Sequence, residues 1–238
     1  MKHPLLTKTV IVGVLAIVLM LPVAMIRDLV TERQARSNEA IAGIAEGWGK
    51  RQTVAGPYLA LPYERRWTEV KRETVDGKQR ETRTERVEVN SVRIPATTLE
   101  WVVAADISEK TRGIYKARLY SARLSATGSV AVPARSAMED GKSQYKWHAP
   151  RLVVGISDPL GIRSAPETSI NGAKMAFAPG SGDGGAGLHA PLPNLDLAKA
   201  RTLEFSFTLE LGGSEALALA PLGADTTVSM RADWPHPS

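Results

Sequence analysis

TLEFSFTLEL, from Thr202 to Leu211, sets Leu203, Phe205, Phe207, Leu209 and Leu211 against Glu204, Ser206, Thr208 and Glu210. Strict alternation of apolar and polar side chains puts one class on each face of a strand, so this segment reads as a half-buried β-strand. The same period recurs on both sides of it. Ile94 to Ile107 alternates, with Thr97, Leu99, Trp101 and Val103 on one face. Ile114 to Ala126 starts with Tyr115, Ala117 and Leu119 on a face and then slips to Tyr120, Ala122, Leu124 and Ala126. A phase change of one residue within a strand predicts a β-bulge. Arg151 to Ile156 reads as a short buried strand stopped by Asp158-Pro159-Leu160-Gly161, and Thr226 to Met230 as a last strand. Asp76-Gly77, between the charged arms of Trp67 to Val89, and Asn171-Gly172, within Ser169 to Phe177, are two-residue hairpin signals. Pro57, Pro62, Pro95 and Pro133 suit strand starts and edges. The predicted fold is mainly β, an antiparallel sandwich or paired sheets.

The N-terminal part obeys another rule. Thr9 to Ile26 is an uncharged run between Lys8 and Arg27, and as a helix it reaches about 27 Å, the hydrocarbon thickness of a thin bilayer. Val10, Ile11, Leu15, Ile17, Leu19, Leu21 and Ile26 are its membrane-facing candidates. A cleaved signal peptide has a shorter apolar region and ends in small residues. Here Pro22-Val23-Ala24-Met25-Ile26 carries no such site, and apolar Leu29 and Val30 continue at helical spacing into Glu32 and Arg33. The segment therefore reads as a retained anchor. Lys2 and Lys8 before it are balanced by Arg27, Arg33 and Arg36 after it, so charge asymmetry does not set its orientation. Arg27 to about Lys50 reads as a helical stalk, with Ala40, Ile41, Ile44 and Ala45 at helical spacing and Gly47 and Gly49 closing it. The expected division is a flank over 1–8, a transmembrane helix over 9–26, a helical stalk over 27–50 and a β-rich domain over 51–238, for which the family resemblance given below implies an extracytoplasmic side.

Composition limits the chemistry. The chain has no cysteine, which excludes disulfides and thiolate metal sites. Its net charge is +5. From Glu64 to Glu88, however, eight basic residues interleave with seven acidic ones, a zwitterionic surface unlike the one-signed patch that nucleic acid requires. No nucleic-acid partner is expected. His3, His148, His189 and His236 have no ligand spacing among them, so no metal is predicted.

Gly180, Gly182 and Gly185 in PGSGDGGAG match G-x-G-x-x-G literally. A dinucleotide site needs a helix after the glycines, and Leu188-His189-Ala190-Pro191-Leu192-Pro193 cannot start one. The stretch reads as a loop, and no cofactor is predicted. Ser181, Asp183, His189 and Glu167 lie near it in sequence. They leave open an envelope-polymer hydrolase or transferase as an alternative, although their spacing enforces no nucleophile–base pair. A small-ligand sensor is the third reading.

Six collinear segments share one further pattern: LPVAMIRDLVTERQ (21–34), VAGPYLALPY (54–63), RGIYKARLYSARLSATG (112–128), VVGISDPLGI (153–162), GGAGLHAPLP (184–193) and ADWPHPS (232–238). By these the chain resembles the CreD family of bacterial inner-membrane, cell envelope integrity proteins, over essentially its whole length. The resemblance implies one N-terminal transmembrane helix, a large β-rich domain on the periplasmic side and a following group of transmembrane helices. Relative to that pattern, the sequence corresponds to the N-terminal portion. The resemblance also implies a link to envelope integrity, colicin tolerance and a two-component stress regulon, with no catalytic residue to carry over.

The expected function is therefore a membrane-anchored periplasmic scaffold or interaction domain, not an enzyme. Its expected partners are the inner membrane and either the C-terminal transmembrane region of the complete protein or other envelope proteins. Loops on a rigid scaffold commonly carry recognition, so the candidate interaction residues are Gly56, Pro57 and Tyr58; Asp158, Pro159 and Gly161; Gly184, Gly185, Gly187 and His189; and Trp234 and His236.

Overall fold

A computed structural model describes residues 4–75 and 78–233. Among the described residues one α-helix, α1 (Pro4–Ala45), leads into twelve strands. These are β1 (Gln52–Val75), β2 (Lys78–Arg112), β3 (Tyr115–Val132), β4 (Gln144–Trp147), β5 (Arg151–Ile156) and β6 (Glu167–Ile170), then β7 (Ala173–Met175), β8 (Ala178–Pro179), β9 (Gly187–Pro191), β10 (Arg201–Ser214), β11 (Leu217–Pro221) and β12 (Gly223–Asp233). Hydrogen-bonded neighbours run β7-β6-β10-β3-β2-β1-β5-β9-β8 in an open, antiparallel path. β4 adds to β1 as an antiparallel partner. β11 and β12 instead pair parallel to β1 and β2, a departure from the all-antiparallel expectation.

β2 joins the two halves of this sheet. Its first part, to Pro95, pairs with β1, and from Thr98 onward it pairs with β3. At the crossing the alternation breaks: Ala96 and Leu99 are buried while Thr97 and Thr98 are exposed. Thr97 therefore does not share the inward face of Leu99, Trp101 and Val103 as the sequence suggested, because the strand changes partners there. The halves bury one core, in which Leu59, Leu61, Leu152 and Val154 join Trp101, Leu124, Phe205 and Phe207. All five apolar residues of TLEFSFTLEL are buried.

The bulge expected in β3 is absent. β3 pairs with β2 and β10 in unbroken register. The apolar phase slips because the covering element changes: Ala117 and Leu119 lie with Ile41 of α1 along one cavity, whereas Ala122, Leu124 and Ala126 face the core. The register shift occurs instead in β1 against β5, between Ala55 and Tyr58.

The Asn171-Gly172 hairpin forms as expected. Ile170 faces Ala173, and Asn171 and Gly172 both have positive φ (49° and 79°), the requirement of a type I′ turn. Asp76-Gly77 lies outside the described residues, although Val75 and Lys78 on either side face each other. Beyond Arg66, β1 and β2 have only one another as partners and form a two-stranded ribbon. Glu73 stands opposite Arg80 and Arg72 opposite Glu81, and Arg86 pairs with Glu69 at 2.9 Å. The mixed charges of this segment thus form cross-strand pairs on a solvated ribbon.

Candidate functional site

α1 fixes one end of the molecule. Its residues from Ile11 to Val30 are exposed wherever their side chains are described, and the helix is long and apolar enough to cross a membrane. Pro22 sits inside it, as membrane helices tolerate. Val10 and Ile17 lie in the helix, and Ile11, Leu15, Leu19, Leu21 and Ile26 expose their side chains from it. The helix ends at Ala45, earlier than the expected Lys50, because the chain turns through Gly47 to Gly49. Ser37, Ala40, Ile41, Ile44 and Ala45 form a half-buried stripe on its last turns, and half-buried Trp48 follows just past its end. That stripe lies against the ends of β2 and β3, beside a cavity of about 480 Å³ lined by Ile41, Ile107, Leu119 and Tyr120. Burial pushes the Tyr120 phenol up to about 12, and its hydroxyl donates to the Ala216 carbonyl at 3.0 Å.

The Asp158-Pro159-Leu160-Gly161 segment clamps the stalk to the sheet. The Asp158 carboxylate accepts from Leu160 N at 3.1 Å, closing a 3-10 turn, and from Lys50 N at 3.0 Å. Gln52 is fully buried. Its amide donates to the Asp158 carbonyl at 2.9 Å and accepts from Asp158 N at 3.2 Å. Asp158, Pro159 and Gly161 therefore have structural work, and Leu160 is the exposed apolar side chain among them. Gly56 and Pro57 are buried inside β1 rather than on a loop, and the peptide between them is cis. Only Tyr58 of that triplet is half-exposed.

The glycine-rich segment folds back over the outer face of the half-sheet formed by β2, β1, β5 and β9. Register puts Tyr58, Arg93, Arg151 and His189 on that face: Ala60 stands opposite both Arg93 and Arg151, and Val153 opposite both Tyr58 and His189. The loop bonds to itself through Gly180 N to Gly187 O at 2.7 Å and Ser181 N to Gly185 O at 2.9 Å. The Ser181 hydroxyl donates to Asp183 and accepts from Gly185 N. Arg93 reaches Asp183 at 3.3 Å. The Ser181 hydroxyl, followed by Arg93, holds the Asp183 carboxyl below its ordinary range. Burial, followed by the Asp183 charge, raises the Tyr58 phenol. Gly182 leaves no room for a side chain beside the Arg151 guanidinium.

His189 Nδ1 lies 2.8 Å from the Gly180 carbonyl oxygen, so its observed partner is backbone and not a carboxylate. Ser181 donates to Asp183 and His189 faces the Gly180 carbonyl, so the imidazole joins neither the hydroxyl nor the carboxylate. No helix follows the glycines; β9 begins at Gly187. Among the described residues no cluster of three or more acidic or imidazole side chains could hold a metal. Gly184 and Gly185 are exposed, Gly187 is buried, and Trp234 and His236 lie outside the described residues. Sequence reasoning missed Gln52, Arg93 and Arg151, whose roles arise from cross-strand register between distant segments.

A family model for inner membrane protein CreD matches residues 4–238. The inner membrane protein CreD of Escherichia coli (strain K12) is 25% identical over 240 residues, covering 100% of this chain and 51% of that protein. The chain thus spans about half the length of the curated relative it matches. No solved structure matches it. With an apolar helix long enough to span a bilayer and a mainly β body beyond it, the chain belongs to the CreD family of inner membrane proteins.

Proposed function

We propose that the β body is a periplasmic interaction and scaffolding module, tethered to the inner membrane by α1 and contributing to envelope integrity and stress tolerance. The observation that carries this reading is the direction of two elements. α1 leads away from the body along the β2–β3 edge, and β12 runs parallel to β2 toward that same edge, with Asp233 opposite Asp106. A chain that enters and leaves by one end hangs its other end away from the bilayer. The glycine-rich loop and the charged ribbon are then free to meet partners, at a local concentration raised by the tether.

The first partner on this reading is the transmembrane region of the complete protein, approached by Trp234 and His236; other envelope proteins are next. The residues near the glycine-rich loop make bonds that hold the loop, which favours recognition over hydrolysis. A photo-crosslinker at position 188 or 236 of the full-length protein tests the proposal. Capture of its own transmembrane half or of a defined envelope protein supports it. Absence of crosslinks at both sites, with folding and envelope phenotype unchanged when residues 180–187 are deleted, contradicts it.

A further inference from the structure

We infer that the β2–β3 hairpin tip is a second membrane contact, seated in the phospholipid headgroup layer on the side where α1 leaves the bilayer. Arg112 faces Tyr115 across a two-residue turn of Gly113 and Ile114. Gly113 has φ of 62°, the left-handed value that the first position of a type II′ turn demands. Ile114, in the second position, is 87% exposed, more than any other large hydrophobic side chain described. An isoleucine at an exposed turn gains nothing in water, and basic residues flank it in sequence, Lys116 among them paired with Glu109 at 2.7 Å. Lys110 and Lys116 are exposed, Arg112 lies between them in sequence, and the segment 107–118 carries four basic residues against one acidic.

Position decides the partner. At its C-terminal end, α1 leads to Gly49 and Lys50, whose carbonyls accept from Ser214, beside Leu119 in register. Further back, Ile41 shares its cavity with Ile107, Glu109 and Lys116. Moving from Lys50 toward the membrane span therefore moves along β3 toward the tip. The half-buried stripe from Ser37 to Ala45 keeps helix and hairpin side by side for about two turns. From the Ile107–Tyr120 and Glu109–Arg118 rungs, the tip lies three to five residues further on, about 10–17 Å. From Ile41 back to Ile26, the end of the expected span, is roughly 22 Å. The headgroup region adds about 5–8 Å beyond the hydrocarbon. The tip and the lipid surface thus meet at one level. An apolar side chain within a basic collar suits an anionic bilayer, in which isoleucine enters the interface and lysines meet phosphate.

The absence of cysteine makes single-site labelling clean. The full chain is reconstituted into nanodiscs of phosphatidylethanolamine and phosphatidylglycerol with a nitrobenzoxadiazole probe at Ile114→Cys, Thr111→Cys or, on the distant ribbon, Val87→Cys. Headgroup nitroxide lipid should quench the probes at 111 and 114 several-fold more than the probe at 87. Adding Ile114→Asp to the Thr111→Cys protein should cut its quenching at least twofold, as should replacing phosphatidylglycerol with phosphatidylcholine. Quenching at 111 and 114 no greater than at 87 overturns the inference, as does a probe at 111 that ignores both changes. The result does not depend on which compartment holds the β body, so it separates from the proposed function.

Discussion

Ile41 of α1 and Ile107 of β2 line the same cavity, so the apolar helix is held against the sheet and is not joined to it by a free hinge. A half-buried isoleucine contributes on the order of 1–2 kcal/mol. Ile41→Asp should release the last turns of α1 while leaving the β body folded. Limited proteolysis checks this: cleavage within 47–50 should accelerate several-fold in the variant, while fragments beginning near Gln52 persist.

Trp101 is fully buried and meets Phe207 edge-on, with centroids 5.4 Å apart. It stands on the stretch of β2 that pairs with β3 and β12. Trp101→Ala should cost about 3–5 kcal/mol, seen as a lower urea midpoint for the detergent-solubilised chain. Val87→Ala, on the solvated ribbon, should change it by under about 0.5 kcal/mol.

The turn at Asp158 depends on one buried amide. Gln52→Leu leaves the Asp158 N–H and carbonyl without that partner, at a cost of roughly 1–3 kcal/mol. Gly161→Ala should be of similar severity, because its new methyl group would collide with Gln52 and the Gly212 carbonyl. Thermal melting of both variants checks the clamp. A turn serving only as a recognition loop would tolerate both.

The strands were legible wherever one face is buried and the other solvated. Leu203 to Leu211 alternates because its cover does not change along its length. Legibility failed where cover or partner changes: Ala117 and Leu119 answer to α1, Ala122 and Leu124 to the core, and periodicity cannot tell such a handover from a bulge. Thr97 misled for the related reason that β2 changes partner there. The parallel pairing of β11 and β12 has no local signature, since parallel and antiparallel strands share a period of two. In the glycine-rich loop the glycines signalled a turn, but Arg93 and Arg151 come from strands remote in sequence. Nothing local to PGSGDGGAG points to them.

The Asp183 carboxyl is held below its ordinary range chiefly by the Ser181 hydroxyl, then by Arg93. Its folded value is depressed, so its contribution is fully present above the unfolded value near pH ~4 and is lost as pH falls through the lower folded value. Hydrogen exchange at Gly184 and Gly185 should therefore gain protection as pH rises through that window, after correction for intrinsic rates. In Asp183→Asn this dependence should disappear.

A β body held outside the cytoplasm by an uncleaved helix, as proposed, exposes its ribbon to reagents that cannot pass the inner membrane. A Val87→Cys variant is expressed in cells with a permeabilised outer membrane and treated with a membrane-impermeant maleimide. Labelling should occur before lysis, on a full-mass protein that stays in the membrane fraction. Labelling only after lysis, or a labelled soluble product shortened at its N-terminus, would contradict it.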